Sequence, residues 1–479
     1  MPMVWLLALT YVCVLLLVSR LTSGKATNDT FFRGERRSPW LAVAFGMLGA
    51  SLSGVTFVSV PAMVRASGMT YLQMCLGFVP GYILVALVLL PVYYRLRLTT
   101  IYTFLNERFG PSAYRSGSAF FIISKVAGAG VRLFLVCTIL HTMLFGALGV
   151  PFGITALLTI FLIWLYTRRG GIKTLVWTDC AQTAVLLAAL VMMLRAVLRA
   201  EGWTLLEAWD AVTASPMSRA FVFDDWSSPR HFVKQFLSGV FIVVVMTGLD
   251  QDMMQKNLTC RTLREAQKNM ILNGLMYLPI NILFLGLGVL LYTFAASQGI
   301  ALPDDADSLL PTLAGGGYLG RGAQVCFVVG ITAAALSSAD SALTALTTSV
   351  TVDFLHRDDD ERLRRRVHVA VAVVLLAFIM LLRVVGTGSV INAVYVVASY
   401  TYGPLLGLFG LGLFTRRVQP AARAVPVVCV LAPVLCYLLS LLCLSLWDYH
   451  FGYELLLLNG TLTALALWLS ANNKVRVNE

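Results

Sequence analysis

Long apolar runs, separated by short polar segments, recur along almost the whole chain. Most runs reach about 20 residues, the length that an α-helix needs to cross the ~30 Å hydrocarbon core of a bilayer. A barrel strand needs only about 10 residues of alternating polarity, so this pattern predicts helices. Thirteen spans are predicted, at about 4–20, 40–66, 70–94, 114–147, 151–167, 172–198, 231–256, 267–297, 321–354, 366–384, 388–415, 423–446 and 452–471.

The composition indicates the same class of protein. Of the 479 residues, 58% are hydrophobic and 13% are charged, whereas a soluble domain has about 45–50% apolar and about 25% charged residues. A soluble enzyme, a disordered chain and a disulfide-stapled secreted domain are therefore excluded. The nine cysteines show no CxxC or Cys/His ligand spacing and are interpreted as small buried hydrophobic residues. The first run has no basic segment before it and no small-residue cleavage site, so it predicts a retained span.

The positive charges orient the predicted spans. The formal net charge of +12 would suggest nucleic acid in a soluble protein, but most of the 36 Lys and Arg residues lie in alternate loops, and no nucleic acid partner is expected. The positive-inside rule makes these loops cytoplasmic. The N-terminus is then outside and the C-terminus inside, in a multi-pass protein of the plasma (inner) membrane. The loop cations include Lys25, Lys256, Arg416, Arg417, Lys474 and Arg476.

The spans divide into two groups of five. Because an odd number of spans reverses direction, two successive five-span groups have opposite orientation, the arrangement of one class of secondary transporters. The prediction is an all-α polytopic membrane protein with about 13 helices and two inverted five-helix repeats. Its parts are an extra helix and cytoplasmic loop (1–39), the first repeat (40–199), an extracellular loop (200–230), the second repeat (231–415) and two further helices with a short cytoplasmic tail (416–479).

Each predicted repeat opens with an interrupted helix. Glycines, hydroxyls and a mid-span proline weaken the helix between Gly46 and Pro61, and Thr247–Asp252 places polar residues directly after an apolar run. A break in mid-membrane frees backbone carbonyls, and such carbonyls bind small hard cations. The alternative for Gly46–Pro61 is a tightly packed small-residue helix with a proline kink.

Polar residues also interrupt the ninth span. Ser337, Asp340, Ser341 and Thr344 recur at helical spacing and form one stripe, with Ser338 beside it. The stripe indicates a cation site, since a helix contact would not explain an unpaired carboxylate.

Three charged residues lie within other spans. Asp179 is near the start of the sixth span, where it is either functional or an interfacial acid. Lys125 and Arg132 share one face of the fourth span between glycines. Arg132 either binds a substrate carboxylate or pairs with an acid on another span.

Four motifs resemble the sodium:solute symporter family, whose members have the leucine-transporter-like inverted-repeat fold. They are Ala334–Ser341 continuing to Asp353, Gly248–Lys256, Thr178–Asp179 with Gln182, and Gly49–Leu52. The similarity covers nearly the whole chain. The resemblance implies a sodium ion between two core helices, bound by the carbonyls of Gly54, Phe57 and Ala334 and the hydroxyls of Ser337 and Ser338.

The resemblance also implies a second sodium site and a substrate pocket. The second site would comprise Asp179, Ser337, Asp340 and Ser341, although Asp340 replaces a hydroxyl found in many relatives and could bind a proton instead. Arg132 follows Gly128-Ala-Gly-Val, one residue longer than the Gly-Ala-Arg-Leu-like context of carboxylate-carrying members. Val58 and Val60 stand where sugar carriers have polar side chains. The implied substrate contacts are Val58, Ser59, Gln73, Arg132, Thr247 and Gln251.

The predicted function is sodium-coupled import of a small organic solute by alternating access, with the solute a carboxylate such as a sialic acid, amino acid, vitamin or monocarboxylate. The alternatives are proton coupling through Asp179 and Asp340, and sodium-coupled transport of a sugar or polyol. Enzymatic activity is not expected, because His141, the one histidine well inside a predicted span, has no acid or histidine four residues away. A sensor is disfavoured by the short basic tail, and no obligatory protein partner is evident.

Overall fold

Helices form nearly all of the described structure. The computed structural model describes residues 2–22, 27–385, 390–415 and 418–471. The predicted cytoplasmic tail after residue 471 and the loop cations Lys25, Arg416, Arg417, Lys474 and Arg476 lie outside the described residues.

Fourteen helices carry the architecture of the described ranges, with shorter helices at Asn28–Arg33, Thr103–Phe109 and Leu205–Ala214 in the connections. They are α1 (Pro2–Thr22), α2 (Trp40–Ala62), α3 (Tyr71–Arg95), α4 (Pro111–Phe145), α5 (Phe152–Glu201), α6 (Phe232–Gly248), α7 (Gln251–Asn257), α8 (Leu263–Ser297), α9 (Gly320–Phe354), α10 (Glu361–Val385), α11 (Val390–Thr401), α12 (Gly403–Phe414), α13 (Ala424–Trp447) and α14 (Leu455–Leu469).

Eight of these helices are individually long and apolar enough to cross a membrane, and two bent pairs qualify when each pair is joined. The protein is therefore a multi-pass membrane protein. The longest helix, α5, has 50 residues and would measure ~75 Å if straight, which is more than twice the bilayer core. It is interrupted at Gly171, where φ is +48° and an added Cβ would lie 2.5 Å from the Phe31 ring. The total of thirteen spans remains a prediction.

Both predicted helix interruptions are present. In α2 the backbone leaves helical geometry at Ser53, with φ 32° and ψ 167°. Between α6 and α7 the chain turns by 69°. Asp250 caps the new helix, its side chain accepting hydrogen bonds from the amides of Asp252 and Met253. These breaks lie inside the protein, where freed backbone groups can be satisfied by neighbours or by a ligand.

The interrupted helix α2 lies at the centre of the bundle. It packs against α5, α8 and α9, and 83% of its most apolar 18-residue window is buried. In contrast, only 17% of the corresponding window of α13 is buried, although α13 is more hydropathic. Apolar side chains on α13 therefore face lipid, while α2 and α9 form the interior.

Candidate cation and solute sites

The first cation position lies where α2 crosses α9. A Cβ built on Gly54 would lie 3.9 Å from the Ala335 amide nitrogen, and one built on Gly330 would lie 3.3 Å from the Phe57 ring. The break at Ser53 immediately precedes this crossing. The structure thus brings the Gly54 to Phe57 segment against the Ala334 turn of α9.

Ser338, one turn along α9 from Ala334, has an unsatisfied hydroxyl. Its Oγ is buried and has no hydrogen-bond partner among the described residues. A buried polar group left unpaired costs about 1–3 kcal/mol, and a hard cation with oxygen ligands would remove that cost. The neighbouring Ser337 hydroxyl is engaged, because it donates to Asp179 Oδ1 at 2.8 Å. Of the two serine hydroxyls implied for the first sodium site, Ser338 is therefore the one left without a protein partner.

The second cation position contains a lysine. The Nζ atom of Lys256 lies 2.7 Å from Asp179 Oδ2, and both side chains are buried, with exposed fractions of 1% and 0%. The contact is an ion pair without hydrogen-bond alignment. The charge pattern of the sequence places Lys256 among the loop cations. That placement is wrong, because Lys256 lies within α7 and is buried.

Asp340 is held by neutral hydroxyls. The Tyr166 hydroxyl donates to Asp340 Oδ2 at 2.7 Å, and Ser341 Oγ donates to Oδ1 at 3.2 Å. Together with Ser337 and Lys256, these donors engage all four oxygens of Asp179 and Asp340. The acid of the implied second sodium site, Asp179, is therefore already in contact with a positive charge.

An open cavity lies beside the two interrupted helices. Segments of α2, α3, α4, α6, α8 and α11 line it, together with residues at the α6–α7 and α11–α12 bends. Its polar lining includes Ser53, Thr56, Lys125, Arg132, Thr247 and Asp250. The cavity therefore places cationic, acidic and hydroxyl groups from several helices around one space.

The two cations of the cavity differ in their partners. Lys125 Nζ lies 2.6 Å from Asp252 Oδ2 and 3.2 Å from Asp250 Oδ2, and the Tyr402 hydroxyl also donates to Asp250. Arg132 makes no ion pair or hydrogen bond with any described residue. The sequence left two alternatives for Arg132, binding of a substrate carboxylate or pairing with an acid on another span. In the described structure its guanidinium borders the cavity and has no acidic partner.

The other implied substrate contacts are distributed differently. Thr247 lines the cavity, whereas Val58 and Ser59 are buried in α2 away from its lining. The Gln73 amide donates to the Arg230 carbonyl at 2.9 Å and accepts from the Val222 amide at 3.0 Å.

Gln251 likewise binds loop backbone. It accepts a hydrogen bond from the Ile101 amide at 2.9 Å and donates to the Thr99 carbonyl at 3.0 Å. The structure therefore brings Arg132 and Thr247 together at the cavity and places the two glutamines against connecting segments.

Several buried partners were not identified in the sequence. Lys256, Tyr166 and Tyr402 each contact a carboxylate in the interior. One signal was available for Lys256, since it follows Asp252 by four residues in a segment already singled out. The tyrosines carry no such signal, because tyrosine is common in apolar helices.

Interrupted helices around a central cavity define a polytopic membrane protein of the leucine-transporter-like fold. A solved structure of a Na⁺-coupled sialic acid symporter, in a substrate-bound outward-open state, superimposes with a TM-score of 0.82 over 98% of each chain at 19% identity. A nucleobase-cation-symport-1 family transporter in a closed conformation gives a TM-score of 0.55 at 15% identity, over 92% of this chain and 93% of that one.

The chain belongs to the sodium:solute symporter family, whose model matches residues 31–422. Human sodium/iodide cotransporter is 27% identical over 82% of this chain and 62% of its own length. Rabbit sodium-dependent multivitamin transporter is 27% identical over 85% of this chain and 65% of its own length. The Aliivibrio fischeri sodium/sialic acid symporter NanT is 24% identical over 84% and 81%. The chain thus spans less than two thirds of the iodide and multivitamin transporters.

Proposed function

We propose that the protein is a sodium-coupled symporter that imports a small organic carboxylate across the plasma (inner) membrane by alternating access. The observation that carries this proposal is Arg132, a guanidinium that lines the cavity without a protein partner among the described residues. Similar proteins named for sialic acid and for monocarboxylates support an anionic solute.

The charges of the cavity favour a carboxylate. Lys125 already contacts two acids, Asp250 and Asp252, whereas Arg132 has no described acid within ion-pair distance, so its guanidinium is the cationic group free to bind a solute. The planar fork of a guanidinium matches a carboxylate in two parallel hydrogen bonds, and the half-buried Arg132 side chain faces the cavity where such a solute could reach it. Thr247 on the facing helix offers a further hydroxyl to the same solute.

Sodium is the second transported substrate. The carbonyls of Gly54, Phe57 and Ala334 and the Ser338 hydroxyl would bind it, with Ser337 as an additional oxygen. This position joins α2 to α9, and α2 also lines the cavity. A cation that binds more tightly when α2 and α9 are close stabilises the conformation in which they are close. Because α2 also lines the cavity, the same conformation fixes the position of the α2 residues that face the solute. Coupling then requires only different affinities of sodium and solute for the two states.

The proposed orientation follows from the charge pattern. The N-terminus would be outside and the C-terminus cytoplasmic, with residues 40–199 and 231–415 as the two inverted repeats. The segment 200–230 would then be extracellular. Its helix Leu205–Ala214 begins with a capping box in which Thr204 hydrogen bonds lower the pKa of Glu207, as expected for an exposed connection.

Uptake into proteoliposomes tests this function. Labelled sialic acid, proline, pantothenate, lactate and glucose are offered under an inward sodium gradient, and choline replaces sodium at a fixed proton gradient. We expect sodium-dependent uptake of at least one carboxylate and none of glucose. Uptake that persists in choline and follows the proton gradient would support proton coupling instead. Sodium-dependent uptake of glucose alone would contradict the assignment of a carboxylate.

A further inference from the structure

We propose that the ammonium group of Lys256 is a resident cation at the position where relatives would hold a second sodium ion, so that one sodium ion is transported with each solute. This inference rests on the proposed function and adds its stoichiometry. It departs from the family resemblance, which assigns Asp179, Ser337, Asp340 and Ser341 to a second sodium ion.

The geometry places the lysine charge at the carboxylate that the ion would need. Lys256 Nζ is 2.7 Å from Asp179 Oδ2, and Ser337 Oγ donates to the other oxygen of the same carboxylate at 2.8 Å. Both charged side chains are shielded, with at most 1% exposed. A sodium ion on Asp179 would share one carboxylate with a second positive charge in a medium that screens charges poorly.

The remaining acid of the cluster is held by neutral hydroxyls. Both oxygens of Asp340 already accept hydrogen bonds, from Tyr166 and from Ser341. The Ser337 and Ser341 hydroxyls of the implied second site both donate to carboxylates. A sodium ion would therefore compete with a hydroxyl donor or with Lys256 at every carboxylate oxygen of that site.

The lysine also connects this cluster to the cavity. Lys256 lies one helical turn beyond Asp252 on α7, and Asp252 Oδ2 is 2.6 Å from Lys125 Nζ in the cavity lining. Charged groups thus extend along α7 from the cavity to Asp179, and Asp179 holds Ser337 beside Ser338. Because Lys256 is covalently attached, it does not cross the membrane with the solute, unlike a transported sodium ion.

The sodium-to-solute ratio tests this inference. In proteoliposomes loaded with the protein, simultaneous uptake of ²²Na⁺ and of the labelled carboxylate found above gives the ratio directly. The variants are Lys256→Gln, which removes the charge, and Lys256→Arg, which keeps it. The double variant Asp179→Asn/Lys256→Gln removes both buried charges of the pair.

We expect a ratio of about one for the wild type, for Lys256→Arg and for the double variant. For Lys256→Gln we expect the ratio, and the Hill coefficient for sodium, to rise toward two, because Asp179 then lacks a cation. Equilibrium ²²Na⁺ binding to the wild-type protein gives the same count without any variant and is unaffected if a variant fails to fold.

A wild-type ratio of two, falling to one in Asp179→Asn, would overturn this inference and leave the proposed function intact. A ratio of one in both the wild type and Lys256→Gln would overturn the role of Lys256. Absence of sodium-driven uptake and of ²²Na⁺ binding would overturn the proposed function, and this inference with it.

Discussion

Two neighbouring positions on α9 differ in how their polar groups are satisfied. At Ser338, on the helix that packs against the interrupted helix α2, a buried hydroxyl has no partner among the described residues. One residue earlier, Ser337 donates to Asp179, which is paired with Lys256. The Ser338 hydroxyl is free to bind an exchangeable ion, whereas the hydrogen bond of the Ser337 hydroxyl is already made by the protein.

The comparison shows that the sequence of a polar stripe on a membrane helix does not by itself decide which of its residues bind an ion. Ser337 and Ser338 are the same residue type on the same helix, and the groups that face them from α2, α5 and α7 make the difference. A partner supplied by the chain gives a permanent contact, whereas a missing partner leaves a binding position. Three predictions follow in order of decreasing effect.

Asp179→Ala should have the largest effect on stability. The substitution leaves the Lys256 ammonium buried and unpaired, and breaking a buried pair in this way costs about 3–5 kcal/mol. Thermal unfolding of the detergent-solubilised protein measures the loss. Asp179→Asn/Lys256→Gln should lose far less, since no buried charge remains unpaired, and Ser338→Ala should unfold close to the wild type. Equal losses in the single and double variants would show that the pair is not a unit.

Arg132→Ala should affect transport and leave stability unchanged. Loss of a charge-assisted contact to the solute raises the half-saturating carboxylate concentration about 10- to 100-fold. Arg132→Lys keeps the charge without the planar fork and should give an intermediate value. Because Arg132 has no described ion-pair partner, the melting temperature of the Arg132→Ala protein should match that of the wild type. Destabilisation without a change in half-saturation would instead indicate a structural role.

Ser338→Ala should give the smallest of the three effects. Loss of one neutral oxygen ligand raises the sodium concentration for half-maximal uptake about five- to tenfold, equivalent to about 1–1.4 kcal/mol. Thr332→Ala is the matched control, because its hydroxyl lies on the same helix and is already bonded to the Val328 carbonyl. A similar change in both variants would attribute the effect to α9 packing.

The interrupted helices were predictable because their causes are local. Glycines, hydroxyls and Pro61 weaken α2 within one stretch of sequence, and Asp250 stands where a new helix must be capped. The span limits follow in the same way from hydrophobic run lengths. The interruption of α5 at Gly171 also lies in the predicted gap between the spans 151–167 and 172–198, although helical hydrogen bonding continues through its arginines to residue 170.

The pairings inside the bundle were not predictable, because they depend on the contact of helices far apart in sequence. Lys256 meets Asp179 across more than seventy residues, and charge counting assigned it to a loop. Gln73 and Gln251 are polar residues within or beside spans, which made them reasonable solute contacts. Their amides instead meet backbone groups of connecting segments that no periodicity could place.

The melting temperature of the purified protein, measured while sodium replaces potassium at constant ionic strength, tests the central claim most directly. A ligand that binds the folded state stabilises it by about 2.7 kcal/mol at one hundred times its dissociation constant. We predict a saturable rise with sodium in the wild type and in Thr332→Ala, displaced to higher sodium concentration in Ser338→Ala. No rise with sodium, or an identical curve for Ser338→Ala, would contradict a sodium site at the crossing of α2 and α9.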